Sequence, residues 1–179
     1  MANNPNMLRT LNLGCGKDRT IPGAVSVDIN PSVSPDIVHD LNQFPWPFQA
    51  NTFDAIHCKD ILEHLQDLVH VMEEIHRVSK RGAQVHITTP HFSCANSYTD
   101  PTHRYHLGFF SFDYFTGQSR CDFYTMARFK KVRQHLFFYL KLKNKLVWRF
   151  ANRYPAFYEE HLAWMLPAWY LSIELETVK

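Results

Sequence analysis

The sequence predicts an α/β protein on a mostly parallel sheet, and three observations carry that prediction. A brief apolar run, Leu11-Asn12-Leu13, ends in the glycine turn Gly14-Cys15-Gly16. Further apolar runs follow at 24–28, 36–40, 53–58 and 83–89. Between the last two, Leu65, Leu68, Val69, Met72, Ile75 and Val78 keep the 3.6-residue period of an amphipathic helix. Strand, helix and strand joined by short links is the pattern of parallel pairing.

In order, residues 1–6 read as a frayed end, and Leu8 to Leu13 as a strand buried on both faces. Only Lys17 to Gly23 separate the glycine turn from the second strand, Ala24 to Asp28. A crossover helix needs a dozen or more residues, so the first helices are expected to be shortened or missing. Asp36 to Asp40 is a third strand, and the aromatic, proline-punctuated loop Phe44 to Phe48 leads to a fourth at Phe53 to Cys58. The helix is expected to end at Arg81-Gly82, before a fifth strand closed by Pro90-His91. Residues 92–122 read as a polar, aromatic lid with a short helix. Beyond them, Phe123 to Leu140 reads as a long strand, Asn152 to Leu166 as a helix and Leu171 to Val178 as an alternating last strand. No repeat or low-complexity tract interrupts the chain.

With 179 residues, 45% of them hydrophobic, there is material for one well-packed domain, 1–179, and not for two. The formal charge of +2 points to no particular polyanionic partner. Cys15, Cys58, Cys94 and Cys121 form no Cys-x-x-Cys pair, no signal-like segment starts the chain, and no apolar run nears the ~20 residues of a membrane span. A cytoplasmic protein is expected.

Asp28 follows the glycine turn by twelve positions. Glycines let a backbone pass close to a ligand, and a carboxylate ending the next strand can accept hydrogen bonds from two ribose hydroxyls, which makes this a nucleoside-recognition layout. A dinucleotide fingerprint would need glycine where Arg19 stands and an acidic residue some 20 positions further on. An NAD site is therefore disfavoured.

Leu-Asn-Leu-Gly-Cys-Gly, Val27-Asp28-Ile29, Asp40 before Phe44-Pro45, Phe53-Asp54-Ala55-Ile56 and Leu62-Glu63-His64-Leu65 together resemble the class I S-adenosylmethionine-dependent methyltransferases, most closely their small type 11 group. The resemblance covers about residues 8–91, the cofactor-binding half. It implies a Rossmann-like fold with seven strands, mostly parallel, the last antiparallel, and S-adenosyl-L-methionine as cofactor. It implies that Gly14, Cys15 and Gly16 approach the methionine and ribose portion, that Asp28 holds the ribose hydroxyls and that Ile29 packs beside the adenine. Asp40 and the Leu41 backbone would meet the adenine edge, and Lys59 and Asp60 would line the cleft.

Methyl transfer from a sulfonium is an in-line displacement that depends on alignment, and a hydroxyl acceptor also needs a base. His91, directly after the fifth strand, is the first candidate, followed by His103 in the lid and His64. His91-x-x-Cys94 and His103-x-x-His106 have zinc-ligand side chains, but no Cys-x-x-Cys accompanies them and the resemblance does not call for a metal, so none is expected. Arg128 to Arg153 holds nine of the 19 basic residues among interleaved aromatics, a composition suited to an anionic acceptor, a lipid surface or RNA.

The function expected is O-methylation of a small molecule or saccharide with a histidine base; a nucleic-acid substrate is disfavoured, while a homodimer and peripheral membrane contact are compatible with the sequence. The alternatives are a non-catalytic cofactor-binding or scaffold protein and an RNA-binding module using the basic C-terminal half.

Overall fold

The computed structural model describes residues 8–17, 21–120, 122–139 and 145–179. Seven strands form one sheet: β1 (Thr10–Leu13), β2 (Val25–Asp28), β3 (Ile37–Val38), β4 (Phe53–Lys59), β5 (Ser79–Pro90), β6 (Arg128–Phe137) and β7 (Tyr170–Val178), in the order β3-β2-β1-β4-β5-β7-β6. The first five run parallel, and β7 lies antiparallel between β5 and β6. The chain order reverses direction beside β1, so the ends of β1, β2 and β4 frame the crevice in which open α/β sheets bind ligands.

Helices are α1 (Leu68–Val78), α2 (Asn96–Thr99), α3 (Lys145–Arg153) and α4 (Pro155–Phe157). Among the described residues the connections between β1 and β2, β2 and β3, and β3 and β4 hold no α-helix, only a 3-10 turn at Pro31–Val33. The aromatic loop supplies part of the cover instead: Trp46 is buried, its indole nitrogen donates to the Leu41 carbonyl at 3.1 Å, and Phe44 stacks on His70 of α1.

Pairing aligns the strands into rows. Val27, Leu13, Cys58, Ile87 and Ile173 form one apolar row, and Leu11, Ile56, Val85 and Leu175 another. Val71, Met72, Ile75 and Val78 of α1 join the same buried cluster. Between these rows, on the opposite face, runs the polar row Ser26, Asn12, His57, His86, Glu174 and Arg133. Alternation of this kind is the mark of a sheet packed on one face only.

Several boundaries differ from expectation, among them the strand expected over Phe123 to Leu140, which is β6 at Arg128–Phe137. Helix α1 stops at Val78 and β5 starts at once, Ser79 pairing with Phe53, so Gly82 lies within the strand rather than ending the helix. The register jumps from Phe53/Ser79 to Ala55/Gln84, and the extra residues form a bulge with Gly82 at φ +78°. The helix expected from Asn152 is instead α3, begun at Lys145, then α4 and a π-helical turn at Tyr158–Leu162. Pro155 cannot continue the α3 hydrogen-bond ladder and opens a new helix, where its missing N–H costs nothing.

Candidate active site

The glycine turn leaves β1 with Gly14 at φ +61° and Gly16 at +55°. A Cβ on Gly14 would stand 2.5 Å from an Ile61 side-chain carbon, so the position is closed to larger residues by both backbone and space. Gly16 N–H donates to Asp28 Oδ2 at 2.8 Å, and Asn30 N–H donates to Oδ1 at 2.9 Å. The carboxylate thus orients the turn from the end of β2. Cys15 is buried, its N–H donating to the Val27 carbonyl.

Two hollows meet at Gly14. The smaller, about 140 Å³, is lined by Gly14, Asp28, Ile29, Asp40, Leu41, Ile61 and His64 among others. Ile29 is 63% exposed and offers an apolar wall, while Asp40 is held by Asn42, whose backbone and side-chain nitrogens both donate to Oδ1. The larger, about 500 Å³, is lined by the glycine turn, Lys59 and Asp60 and extends along the polar sheet face past His57, His86 and Glu174. The residues assigned to the cofactor by resemblance thus line these two hollows, Gly14 being common to both.

Past β4 the chain turns sharply. Asp60 takes a left-handed backbone, φ +51°, which an aspartate tolerates better than most residues. A 3-10 turn at Leu62–His64 follows, and the Glu63 carbonyl accepts from the N–H groups of Arg104 and Tyr105, tying the lid down beside it. Tyr105 also donates its hydroxyl to the Gln66 carbonyl. This brings Glu63, His64 and His103 together, with a potential ligand atom of each within 4.8 Å of the others.

Electrostatically the corner is unusual. Glu63 is 1% exposed, and burial pushes its carboxyl up to about 7. Asp60 is also raised by burial, as Tyr170 is, the latter to about 12, with its hydroxyl 3.4 Å from Asp60 Oδ2. His64 is lowered by burial and by the neighbouring His103. Perturbed groups gathered in a cleft are characteristic of functional sites.

His91 has other surroundings. It is fully buried, Nδ1 lies 2.8 Å from Ser93 Oγ, and Nε2 lies 2.9 Å from Glu159 Oε1. Both ring nitrogens are engaged inside the protein, an arrangement that fastens β5 to the segment after α4. His91, Cys94, His103 and His106 do not assemble as a ligand set among the described residues, and the group that does assemble includes Glu63. Glu63 stands within the Leu-Glu-His-Leu motif, yet nothing in the sequence distinguishes it from a solvated glutamate; the residue 26 positions away that fixes its Oε2 is Thr89.

Residues 11–87 match the model of the methyltransferase-domain family. Over that stretch the chain is similar to a methyltransferase domain. Solved structures share the fold of this chain at low identity. A SAM-dependent methyltransferase from Archaeoglobus fulgidus is 19% identical, with a TM-score of 0.65, over 96% of this chain and 86% of that one. An S-adenosylmethionine-dependent methyltransferase from Mesorhizobium loti is 15% identical, with a TM-score of 0.53, over 94% and 90%. The methyltransferase of a complex with the Haloferax volcanii Trm112 methyltransferase activator is 14% identical, with a TM-score of 0.61, over 96% and 83%. The curated proteins give no match to the sequence. Among the described residues no helix is long and apolar enough to cross a membrane.

Proposed function

We propose that this chain is an S-adenosylmethionine-dependent methyltransferase that methylates an oxygen of a small molecule or saccharide. The carrying observation is the position of His64, which lines the pocket beside Asp28 and Asp40 and also meets His103 and Glu63. In this reading Asp28 holds the ribose hydroxyls, Ile29, Asp40 and Leu41 the adenine, and Gly14, Cys15, Gly16, Lys59 and Asp60 the methionine end. The acceptor oxygen attacks the methyl carbon as the carbon–sulfur bond breaks. The bonding pair stays on sulfur, leaving S-adenosylhomocysteine, and the hydroxyl proton is removed. His64 and His103 are the histidines whose position supports a part in that removal; the enclosed hydrogen bonds of His91 support a structural part instead.

Lys17 and Lys59 on the wall of the larger hollow favour an acceptor with an anionic group, such as a sugar phosphate. The exposed side chains of Leu146, Trp148 and Phe150 alternate on α3 with Arg149 and Arg153, which supports an acceptor presented at an anionic lipid surface.

Calorimetric titration with S-adenosylmethionine and S-adenosylhomocysteine tests the cofactor assignment. Asp28→Ala is expected to weaken binding by about 1.5–3 kcal/mol, the worth of hydrogen bonds to a charged acceptor. Unchanged affinity in a folded variant would remove Asp28 from the site. Release of S-adenosylhomocysteine in a screen of sugars and sugar phosphates tests the acceptor class, and turnover only on amine-bearing acceptors would overturn the oxygen assignment.

A further inference from the structure

We propose that Glu63, His64 and His103 form a binding site for one divalent first-row transition-metal ion. The three residues come from two segments, the turn after β4 and the lid, and each offers a ligand atom within 4.8 Å of the other two.

The hydrogen bonds around the histidines fix which nitrogen is available. Thr102 donates its hydroxyl to Asp100 Oδ1 at 2.6 Å, so its oxygen accepts at His64 Nδ1, 2.9 Å away. His103 Nδ1 lies 3.2 Å from the Ser97 carbonyl, which can only accept. Both rings therefore carry their proton on Nδ1, and both leave the Nε2 lone pair for a ligand. Metal-binding histidines are held in this way, the second ring nitrogen donating to a carbonyl or to a polar chain that ends in a carboxylate.

Glu63 supplies the independent sign of a ligand. Oε2 accepts from the Thr89 hydroxyl at 3.1 Å, whereas Oε1 is buried with no hydrogen-bond partner, on a residue 1% exposed. A buried polar atom without a partner is costly, and a cation beside it removes that cost. Asp60 Oδ1 is a second buried oxygen without a partner, and the Asp60 charge acts on Glu63 and His64.

Two imidazoles and a carboxylate are the donor set of a three-ligand zinc site with an open position, and the imidazoles disfavour calcium and magnesium. Resting on the methyl-transfer reading, the open position would hold an acceptor oxygen beside the cofactor pocket, and His64 and His103 would take part in its deprotonation through the ion they hold. The metal site itself does not depend on that reading.

The test is calorimetric titration of chelator-treated, dialysed protein with zinc chloride at neutral pH. The whole chain is expected to bind one ion. Each of Glu63→Gln, His64→Ala and His103→Ala should weaken binding by more than about tenfold, the loss that even outer partners of a metal site cause. His161→Ala, at an exposed histidine, should leave it unchanged. Circular dichroism establishes that each variant is folded. The proposal is overturned if folded wild-type protein takes up no zinc, or if its affinity survives both Glu63→Gln and His103→Ala. Titration of the same samples with S-adenosylmethionine separates this outcome from a failure of the methyl-transfer reading, because that binding is expected without the ion.

Discussion

Gly14 and Gly16 share a left-handed backbone, yet their surroundings separate them. A Cβ on Gly16 meets nothing within 4 Å, while one on Gly14 runs into Ile61. Gly16→Ala is expected to lose only the ~1–2 kcal/mol of an L-residue in that conformation. Gly14→Ala should add a further ~1–3 kcal/mol of overpacking. Urea unfolding of the two variants measures the difference, and equal losses would mean that Ile61 moves aside freely. The same scale explains what sequence could reveal here. Gly14, Gly16, Asp28 and Asp40 can be singled out in the sequence because a glycine turn and two acidic residues follow successive apolar runs, and in the fold Gly14, Asp28 and Asp40 line one hollow. His91 directly follows a strand end just as a catalytic residue would. Its partner Glu159 lies 68 residues away, and no local pattern announces that it will occupy Nε2. Glu159 Oε1 also accepts from the Phe109 N–H at 2.5 Å. Glu159→Ala is therefore expected to cost ~1–3 kcal/mol for each donor left buried without a partner, read as a lowered melting temperature.

At the scale of elements, a helix boundary depends on competition between neighbours. The period that suggests a helix from Leu65 is overridden at its start because Asp67 caps α1, accepting from the His70 N–H at 3.0 Å. It is overridden at its end because Ser79 can pair in the sheet at once. Helix α3 raises a different question, since Leu146 is 78% and Trp148 40% exposed beside Arg149 and Arg153. If this face meets anionic lipid, the protein should sediment with anionic vesicles and not with neutral ones. Removing both arginines should then weaken binding by ~2 kcal/mol, at about 1 kcal/mol for each basic residue near the surface. Indifference to vesicle charge would leave α3 as a solvated helix and favour acceptors free in solution.

For the whole molecule, the short connections before β4 and the alternation of β4, β5 and β7 have one physical meaning. The chain lacks room for helices over the second sheet face, and the strands place His57, Gln84, His86, Thr88, Ser172, Glu174 and Glu176 where such helices would need apolar support. The alternation of β7 is plain in sequence, whereas the aligned polar row becomes visible only through the pairing register, because a one-residue slip would exchange the two faces. Within that row His57 and His86 stack with ring centroids 4.6 Å apart. Burial, together with the His86 charge, lowers the His57 pKa below its ordinary value, so the native state binds fewer protons there than the unfolded chain does. The stability this contributes is present above the unfolded imidazole pKa of about 6.5 and declines as pH falls through the lower native value. Denaturant unfolding across mildly acidic pH should therefore show falling stability, and His57→Gln should flatten that fall by removing the titrating ring while keeping a polar side chain on the open face. An identical pH profile in wild type and variant would mean that His57 titrates in the folded sheet as it does in the unfolded chain.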